Sequence, residues 1–468
     1  MKPSTVSLLL LMKLVVTCRA SSITFYNEGQ DVGSRLILTP YIESRQIEEG
    51  RQLSKVNGGP FPSNIHSYSG FFTVNTTYNS NLFFWFFPSE EAPNDAPLLL
   101  WLQGGPGSTS MFGLFTELGP FRLDGNLALV ENPYSWHKNH SVLFIDNPVG
   151  TGFSFTESEA GYARDQFQIG NDLYSALVQF LTIFSEFQSV PLFIAGESYA
   201  GKYVPALALT IHQRKSTEPF KINLEGIAVG NGFTDPESTL HYSELVYQLG
   251  LVDTRGYEEL QTMENNGREA IRKGRPIDAV KIYQSIQKVL RRTTNFSTMF
   301  NFIQDKEPDT IKDFQIFVNK PKVRKAIHVG NAIFDIHSST VVSNLLFDFM
   351  TSLRPWLEEV LEHYRVLYYS GQLDIIVGYA LSVRMYNNLD FSAAQIYRNA
   401  SRVPWYVDGE LAGYMKSAGK FTEVLVRNAG HMVPADQPKW ALDLISRFTR
   451  DNLAGAYSPL SLSYDPRK

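Results

Sequence analysis

The stretch FIAGESYAGKYVP, residues 193–205, sets Ser198 where an apolar run gives way to a helix-compatible one, with Gly196 before it and Ala200 and Gly201 after it. A sharp strand–turn–helix needs small residues on both sides if a strained serine is to project. The usual Gly-x-Ser-x-Gly spacing is met except at its last position, where Ala200 stands. A serine hydroxyl becomes a nucleophile only with a base, and that base needs an orienting acid. Further along the chain, YYSGQLDIIVGYA delivers Asp374 and VLVRNAGHMVPADQP delivers His431, each just past an apolar run. Taken singly, Asp374 could cap the helix that follows it, and His431 could be an ordinary turn histidine. Three such residues at strand ends, in the order Ser, Asp, His, favour a nucleophile, its orienting acid and its base, because open α/β sheets build sites along that edge. The remaining candidates are poorer bases: His66, His137, His140 and His241 fall in polar loops or away from strand ends. His137 and His140 have no third metal ligand nearby and read as a surface loop, so no metal site is expected.

Acyl transfer also needs donors for an oxyanion, usually backbone N–H groups. WLQGGPGS ends another apolar run at the same edge, and Gly104 and Gly105 allow close backbone approach to a ligand. The amides of Gly105 and Tyr199 are the expected pair. One residue resists this picture: Glu197 puts a carboxylate beside the nucleophile, where negative charge must gather.

The elements that would position these groups follow from the apolar pattern. Residues 79–88, 96–105, 141–148, 190–198, 222–232, 364–374 and 422–431 read as strands, and residues 164–184 read as a helix with Phe167, Leu173, Leu177, Val178 and Leu181 inward. Unbroken apolar strands separated by helices predict a mostly parallel sheet covered on both faces. Residues 79–102 look like a hairpin, which makes the sheet mixed. Residues 234–318 are charged and helix-forming, without a core strand, and Pro276 suits the first turn of a helix there. The expected organisation is a segment 1–20 to be removed, a core over 21–233 and 319–468, and a helical cap insertion over 234–318 that lies over one end of the sheet.

Composition narrows the class. The net charge of -5 provides no basic field for nucleic acid, and the basic residues of 288–292 read as a solvated helix face. MKPSTVSLLLLMKLVVTCRA has the charged start, short apolar stretch and small residue, Ala20, of a secretory signal peptide. No later run is long enough to span a bilayer. The single cysteine, Cys18, lies inside that segment, so the mature chain would have no disulfide, thiolate metal site or cysteine nucleophile. Sequons at Asn75, Asn139, Asn295 and Asn399 become glycosylation candidates on a secretory route. No cofactor motif appears, and nothing in the sequence sets an oligomeric state.

Six segments carry a family resemblance: WLQGGPGSTSMFGLFTELGP, NPYSWHKNHSVLFIDNPVGTGFSF, GESYAGKYVP, GNGFTDP, SGQLDIIV and AGHMVPADQP resemble the serine carboxypeptidases, over residues 40–452 apart from the insertion. The wording FFWFFP, WLQGGPG and GQLDII is most like the vitellogenic-like branch. The resemblance implies an α/β-hydrolase fold with a helical cap and removal of single residues from the free C-termini of peptides and proteins, favoured in acid. It also implies that Glu117 and Glu197 share protons and bind the substrate's terminal carboxylate, assisted by Gln103 and Gly104. That would resolve the paradox of Glu197, since neighbouring carboxylates hold protons to higher pH. Two departures stand out. Gln103 replaces the family's more common asparagine, and Ser108 and Val377 stand where the family carries cysteines, so no disulfide tethers the cap. An acyltransferase or esterase on the same scaffold, or a non-catalytic binding protein, are the competing readings; the paired glutamates favour a free peptide carboxylate, and the intact Ser198, Asp374 and His431 favour an enzyme.

Overall fold

The computed structural model describes residues 30–218, 220–306 and 310–453. The expected signal segment, residues 1–20 with Cys18, lies outside them. The strands in chain order are β1 (Tyr68–Asn75), β2 (Ser80–Phe87), β3 (Leu98–Leu102), β4 (Phe121–Leu123), β5 (Leu129–Glu131) and β6 (Ser141–Ile145), then β7 (Leu192–Glu197), β8 (Leu224–Gly230), β9 (Arg365–Gly371), β10 (Val403–Val407), β11 (Glu410–Ala418) and β12 (Phe421–Val426). β4 and β5 pair only with each other, and the rest form one ten-stranded sheet in the order β1-β2-β6-β3-β7-β8-β9-β12-β11-β10. Pairing is parallel from β6 through to β12 and antiparallel at both edges.

Strands with two buried faces explain the unbroken apolar runs. Phe84, Phe86, Leu98, Leu100 and Leu102 enter the core on one face, while Phe83, Trp85, Phe87, Leu99 and Trp101 enter the core on the other. The first face is covered by α1 (Gln166–Ile183) and α2 (Ala200–Arg214). Asp165 starts α1 by accepting from the Gln168 amide. Leu173, Leu177 and Leu181 are buried in it, but Phe167 is 62% exposed and faces away from the core.

The expected 79–102 hairpin does not form. β2 pairs with β1 and β6, and β3 lies between β6 and β7. The linker PSEEAPNDAP is too long for a hairpin turn, and β3, buried along its whole length, belongs in the sheet interior. The real hairpin is β1–β2, and β1, β10 and β11 are strands whose weaker, partly exposed patterns hide them in the sequence. The surface-loop reading of His137 and His140 is also corrected. Both are buried, and His140 Nε2 meets Thr449 Oγ1 at 2.8 Å. Burial pushes His137 down to about 4 and His140 down to about 3, so both are neutral packing groups.

Residues 234–318 hold helices and, among the described residues, no strand. The longest are α3 (Thr254–Arg272) and α4 (Pro276–Thr294), the latter with Pro276 in its first turn. Beyond them, α5 (Arg354–His363) leads into β9, and α6 (Pro438–Thr449) buries Trp440, Leu444, Ile445 and Phe448 on the second face.

One buried cation anchors α2 behind Ser198. Lys202 is fully buried, donates to the carbonyls of Asp348 at 2.6 Å and Phe349 at 2.9 Å, and pairs with the Asp348 carboxylate. Tyr199 Oη and Gln166 Nε2 donate to that same carboxylate. Lys202→Ala leaves an uncompensated buried charge and open carbonyls, and should lower unfolding free energy by about 3–5 kcal/mol. Chemical denaturation of the variant against wild type measures this, and a change below about 1 kcal/mol would contradict the anchoring role.

Candidate active site

Ser198 follows the last residue of β7 and precedes α2, and its φ of 63° is the left-handed conformation that a side chain adopts only under constraint. The constraint is a set of backbone bonds: Ser198 N donates to Gly230 O at 2.9 Å, while the Gly201 and Phe233 amides donate to Ser198 O at 2.9 and 2.8 Å. The side chain stays partly exposed. Against this elbow lies the turn that leaves β3. A Cβ on Gly104 would come within 2.5 Å of Glu197 O and 2.6 Å of Tyr199 N, so only glycine lets the two turns touch. Gly105 has φ 111°, again open to glycine alone. The Gly105 and Tyr199 amides have no acceptor among the described residues, so both donors are available to a ligand.

Asp374 lies in the turn after β9. Its Oδ1 accepts from the Ile376 amide at 2.7 Å, and its Oδ2 accepts from Asn231 Nδ2 at 2.7 Å and from His431 Nδ1 at 2.7 Å. Because the carboxylate only accepts, His431 carries its proton on Nδ1, leaving the Nε2 lone pair to take another. That Nε2 is buried and has no hydrogen-bond partner. Ser198 Oγ is therefore not hydrogen-bonded to it.

Asn231 was not singled out in the sequence. It sits just past β8 at φ 44°, is buried, and bridges two strands by donating to Asp374 and accepting from the Gly371 amide at 3.2 Å. Its one visible signal is a Gly-Asn-Gly at the carboxyl end of a core strand, the edge that carries the other groups. A second group is equally hidden: the irregular segment after α4 lies between the Asp374 and His431 loops. Ile375 N donates to Met299 O, His431 N to Phe300 O at 2.6 Å, and Phe302 N to Leu373 O at 2.9 Å. The Phe300 ring stacks on the His431 imidazole at 5.0 Å.

Gln103 joins the two glutamates. Its Oε1 accepts from the Trp101 indole at 3.0 Å, which turns the amide NH2 toward Glu197 Oε1 at 2.9 Å and Glu117 Oε1 at 3.3 Å. Glu117 reaches this point from a π-helical turn, Gly113–Glu117. Both glutamates are about 1% exposed, and the outer oxygen of each has no donor while both are ionised. A proton held between the carboxyls satisfies them. Burial pushes Glu117 up to about 7, against the opposing pull of hydrogen bonds from Glu197 and Gln103. Glu197 is pushed well above the usual carboxylate range, first by burial and then by the Glu117 charge. Asp146 pins the same turn by accepting from Thr109 Oγ1 at 2.6 Å and Ser110 N at 2.8 Å, and Ser110 Oγ in turn accepts from Gln103 N.

The family model for serine carboxypeptidases matches residues 58–451. This chain belongs to the serine carboxypeptidase family. A venom serine carboxypeptidase of Apis mellifera is 46% identical over 431 residues, covering 90% of this chain and 92% of the relative. A vitellogenic carboxypeptidase of Aedes aegypti is 44% identical over 434 residues, covering 90% of this chain and 91% of the relative. Among solved structures, the Kex1 prohormone-processing carboxypeptidase of Saccharomyces cerevisiae shares the fold with a TM-score of 0.76 at 24% identity, covering 86% of this chain and 96% of that one. The carboxypeptidase is thus a peptide-bond hydrolase on an α/β-hydrolase sheet, and no helix among its described residues is long and apolar enough to cross a membrane.

The buried glutamates make a stability prediction with a definite sign. A carboxyl whose folded pKa is raised stabilises the fold fully below its unfolded value, and that contribution is lost as pH rises through the folded value. For Glu117 the window runs from 4.5 to about 7. Across that window the melting temperature of wild type should therefore fall relative to that of the double variant Glu117→Gln/Glu197→Gln, whose pair cannot titrate. Parallel profiles in calorimetry would contradict the proton held by the pair.

Proposed function

We propose that this carboxypeptidase releases single C-terminal residues through an acyl-enzyme on Ser198 and reads the substrate's free carboxylate with the protonated Glu117–Glu197 pair, favoured in acid. The observation that carries this reading is the Gln103 amide donating to both buried glutamates beside the nucleophile. His431 Nε2 takes the Ser198 proton as Oγ attacks the scissile carbonyl, and Asp374 holds the imidazole and offsets its positive charge. The oxyanion falls to the Gly105 and Tyr199 amides, a class of donor whose loss typically costs about 10²–10³ in kcat. His431 then protonates the leaving amine, the terminal amino acid departs, and water, deprotonated by His431, frees Ser198.

A terminal carboxylate would be repelled by two ionised glutamates. With a proton on the pair, Glu117 or Glu197 donates to it, alongside Gln103 and the Gly104 backbone. The helices of 234–318 serve as a cap: their trailing segment touches both the Asp374 and the His431 loops, so substrate must enter beside it. The relative named for venom supports a secretory route, secreted or lysosomal. On that route Asn295 and Asn399 are exposed, and Asn75 is half-exposed, but Asn139 already donates through Nδ2 to Ser446 at 2.9 Å. Glycan should accordingly be found at Asn295 and Asn399 before Asn139 by glycopeptide mass spectrometry. Equal occupancy at Asn139 would contradict that ranking.

Two kinetic outcomes test the function. Ser198→Ala should abolish fluorophosphonate labelling and lose at least about 10³ in kcat while still binding peptide; activity within tenfold would reject Ser198. For a free-acid peptide, KM should rise as pH climbs through about 7, while the corresponding C-terminal amide shows little rise. A flat KM for the free acid rejects the carboxylate-reading role and leaves the esterase reading in its place.

A further inference from the structure

Residues 298–302, which trail α4, run between the Asp374 and His431 loops and are held on both sides. On the first side Met299 O accepts from Ile375 N at 3.3 Å, and Phe302 N donates to Leu373 O at 2.9 Å. On the second, Phe300 O accepts from His431 N at 2.6 Å. Asp436, at the end of the one-turn helix Val433–Asp436, closes that second side. Its Oδ2 accepts from Gly430 N at 2.6 Å and from Asn301 Nδ2 at 3.1 Å, so one carboxylate oxygen clasps the His431 loop to the cap segment. The fit at Gly430 is close: an added Cβ would stand 2.3 Å from Phe300 O and 2.8 Å from Asn301 Cβ.

This grip bears on the His431 imidazole. Its Nδ1 bond to Asp374 Oδ2 fixes one edge of the ring, and Nε2 has no partner to fix the other. A ring held at one edge can still tilt, and a flat neighbour against its face removes that freedom. Phe300 is such a neighbour, with centroids 5.0 Å and planes 27° apart, within the range of about 4.5–7 Å that aromatic pairs favour. Phe300 is partly exposed whereas His431 is 2% exposed, so the phenyl ring also stands between the imidazole and water. A base displaced by about 1 Å can lose about 10² in rate, so small tilts of this ring matter.

We infer that Phe300 is a positioning residue for His431, and that the Asp436–Asn301 clasp ties the aim of Nε2 to the docking of the cap segment. This rests on His431 acting as the base proposed above. Phe300 exchanges no proton: it holds the imidazole plane, and Asp436 holds Phe300 in place through Asn301 and Gly430. Cutting a purely structural contact lowers stability, whereas cutting a positioning contact lowers turnover while substrate affinity survives.

Kinetics on a free-acid peptide and proton NMR of the His431 Nδ1–H test this together. That proton, in a charge-assisted bond to a carboxylate, resonates far downfield, and its loss in His431→Ala assigns it. Phe300→Leu keeps apolar bulk without a flat face. It should lower kcat about tenfold or more, leave KM within about twofold, and broaden the downfield signal through faster exchange with water. Phe300→Tyr keeps the ring and should recover most of the loss. Asp436→Ala should repeat the Phe300→Leu pattern with the phenyl ring intact. Where that variant fails to fold, Asn301→Ala cuts the same clasp and should lower kcat in the same direction. Measurement at about pH 5.5 keeps the glutamate pair protonated with or without the Asp436 charge. His431→Ala separates this inference from the reading beneath it, since full activity there rejects His431 as the base. Wild-type kcat and an unchanged signal in Phe300→Leu, beside an inactive His431→Ala, would overturn the positioning role alone. Unchanged kcat in both Asp436→Ala and Asn301→Ala would overturn the clasp.

Discussion

Everything around Ser198 depends on two carboxyl groups buried together with one amide between them. Glu117 and Glu197 have almost no access to water, and Gln103 can donate only one hydrogen to each. Taking two negative charges out of water beside one another is far costlier than keeping one neutral, so the arrangement selects its own protonation state. The surrounding structure serves that choice. Trp101 fixes which end of the Gln103 amide faces the pair, and the Asp146 network holds the turn after β3. The glutamate beside Ser198 then carries a donor instead of a competing charge.

The same economy of placement governs His431. Asp374 is held from three directions, by Asn231, by the amides that follow it and by His431, so the imidazole has one tautomer and one orientation. Ser198 is likewise forced into a left-handed backbone by bonds to β8 and the Phe233 amide. Strain at Ser198 and buried polarity at Asp374 are both costs, and the large two-faced core around the parallel strands is what offsets them.

Sequence alone exposed the parts of this site that follow directly from strand ends. Ser198, Asp374 and His431 each terminate an apolar run, and that signal survives without knowledge of the fold. Strand order did not survive: the apolar runs of β2 and β3 looked adjacent, and only the long proline-containing linker hints that β6 lies between them. His137 and His140 are polar in sequence yet buried, because Thr449 and Ser135, distant or unremarkable in the chain, receive their nitrogens. Asn231 and Phe300 were missed for a related reason. Each acts through backbone geometry and a partner more than 100 residues away, which local pattern cannot register.

Infrared spectroscopy sees a proton held by the Glu117–Glu197 pair directly, through the carboxyl C=O stretch. At about pH 6 ordinary carboxyls are ionised, although Asp146 and Asp172, pushed up to about 6 and about 7 by burial, also hold protons. Subtracting the spectrum of Glu117→Gln/Glu197→Gln from that of wild type isolates the pair. A protonated-carboxyl band that is present in the difference at about pH 6 and weakens as pH rises through about 7, where Glu117 gives up its proton, is the predicted result. A difference spectrum showing only ionised carboxylate at that pH would contradict the account at its centre.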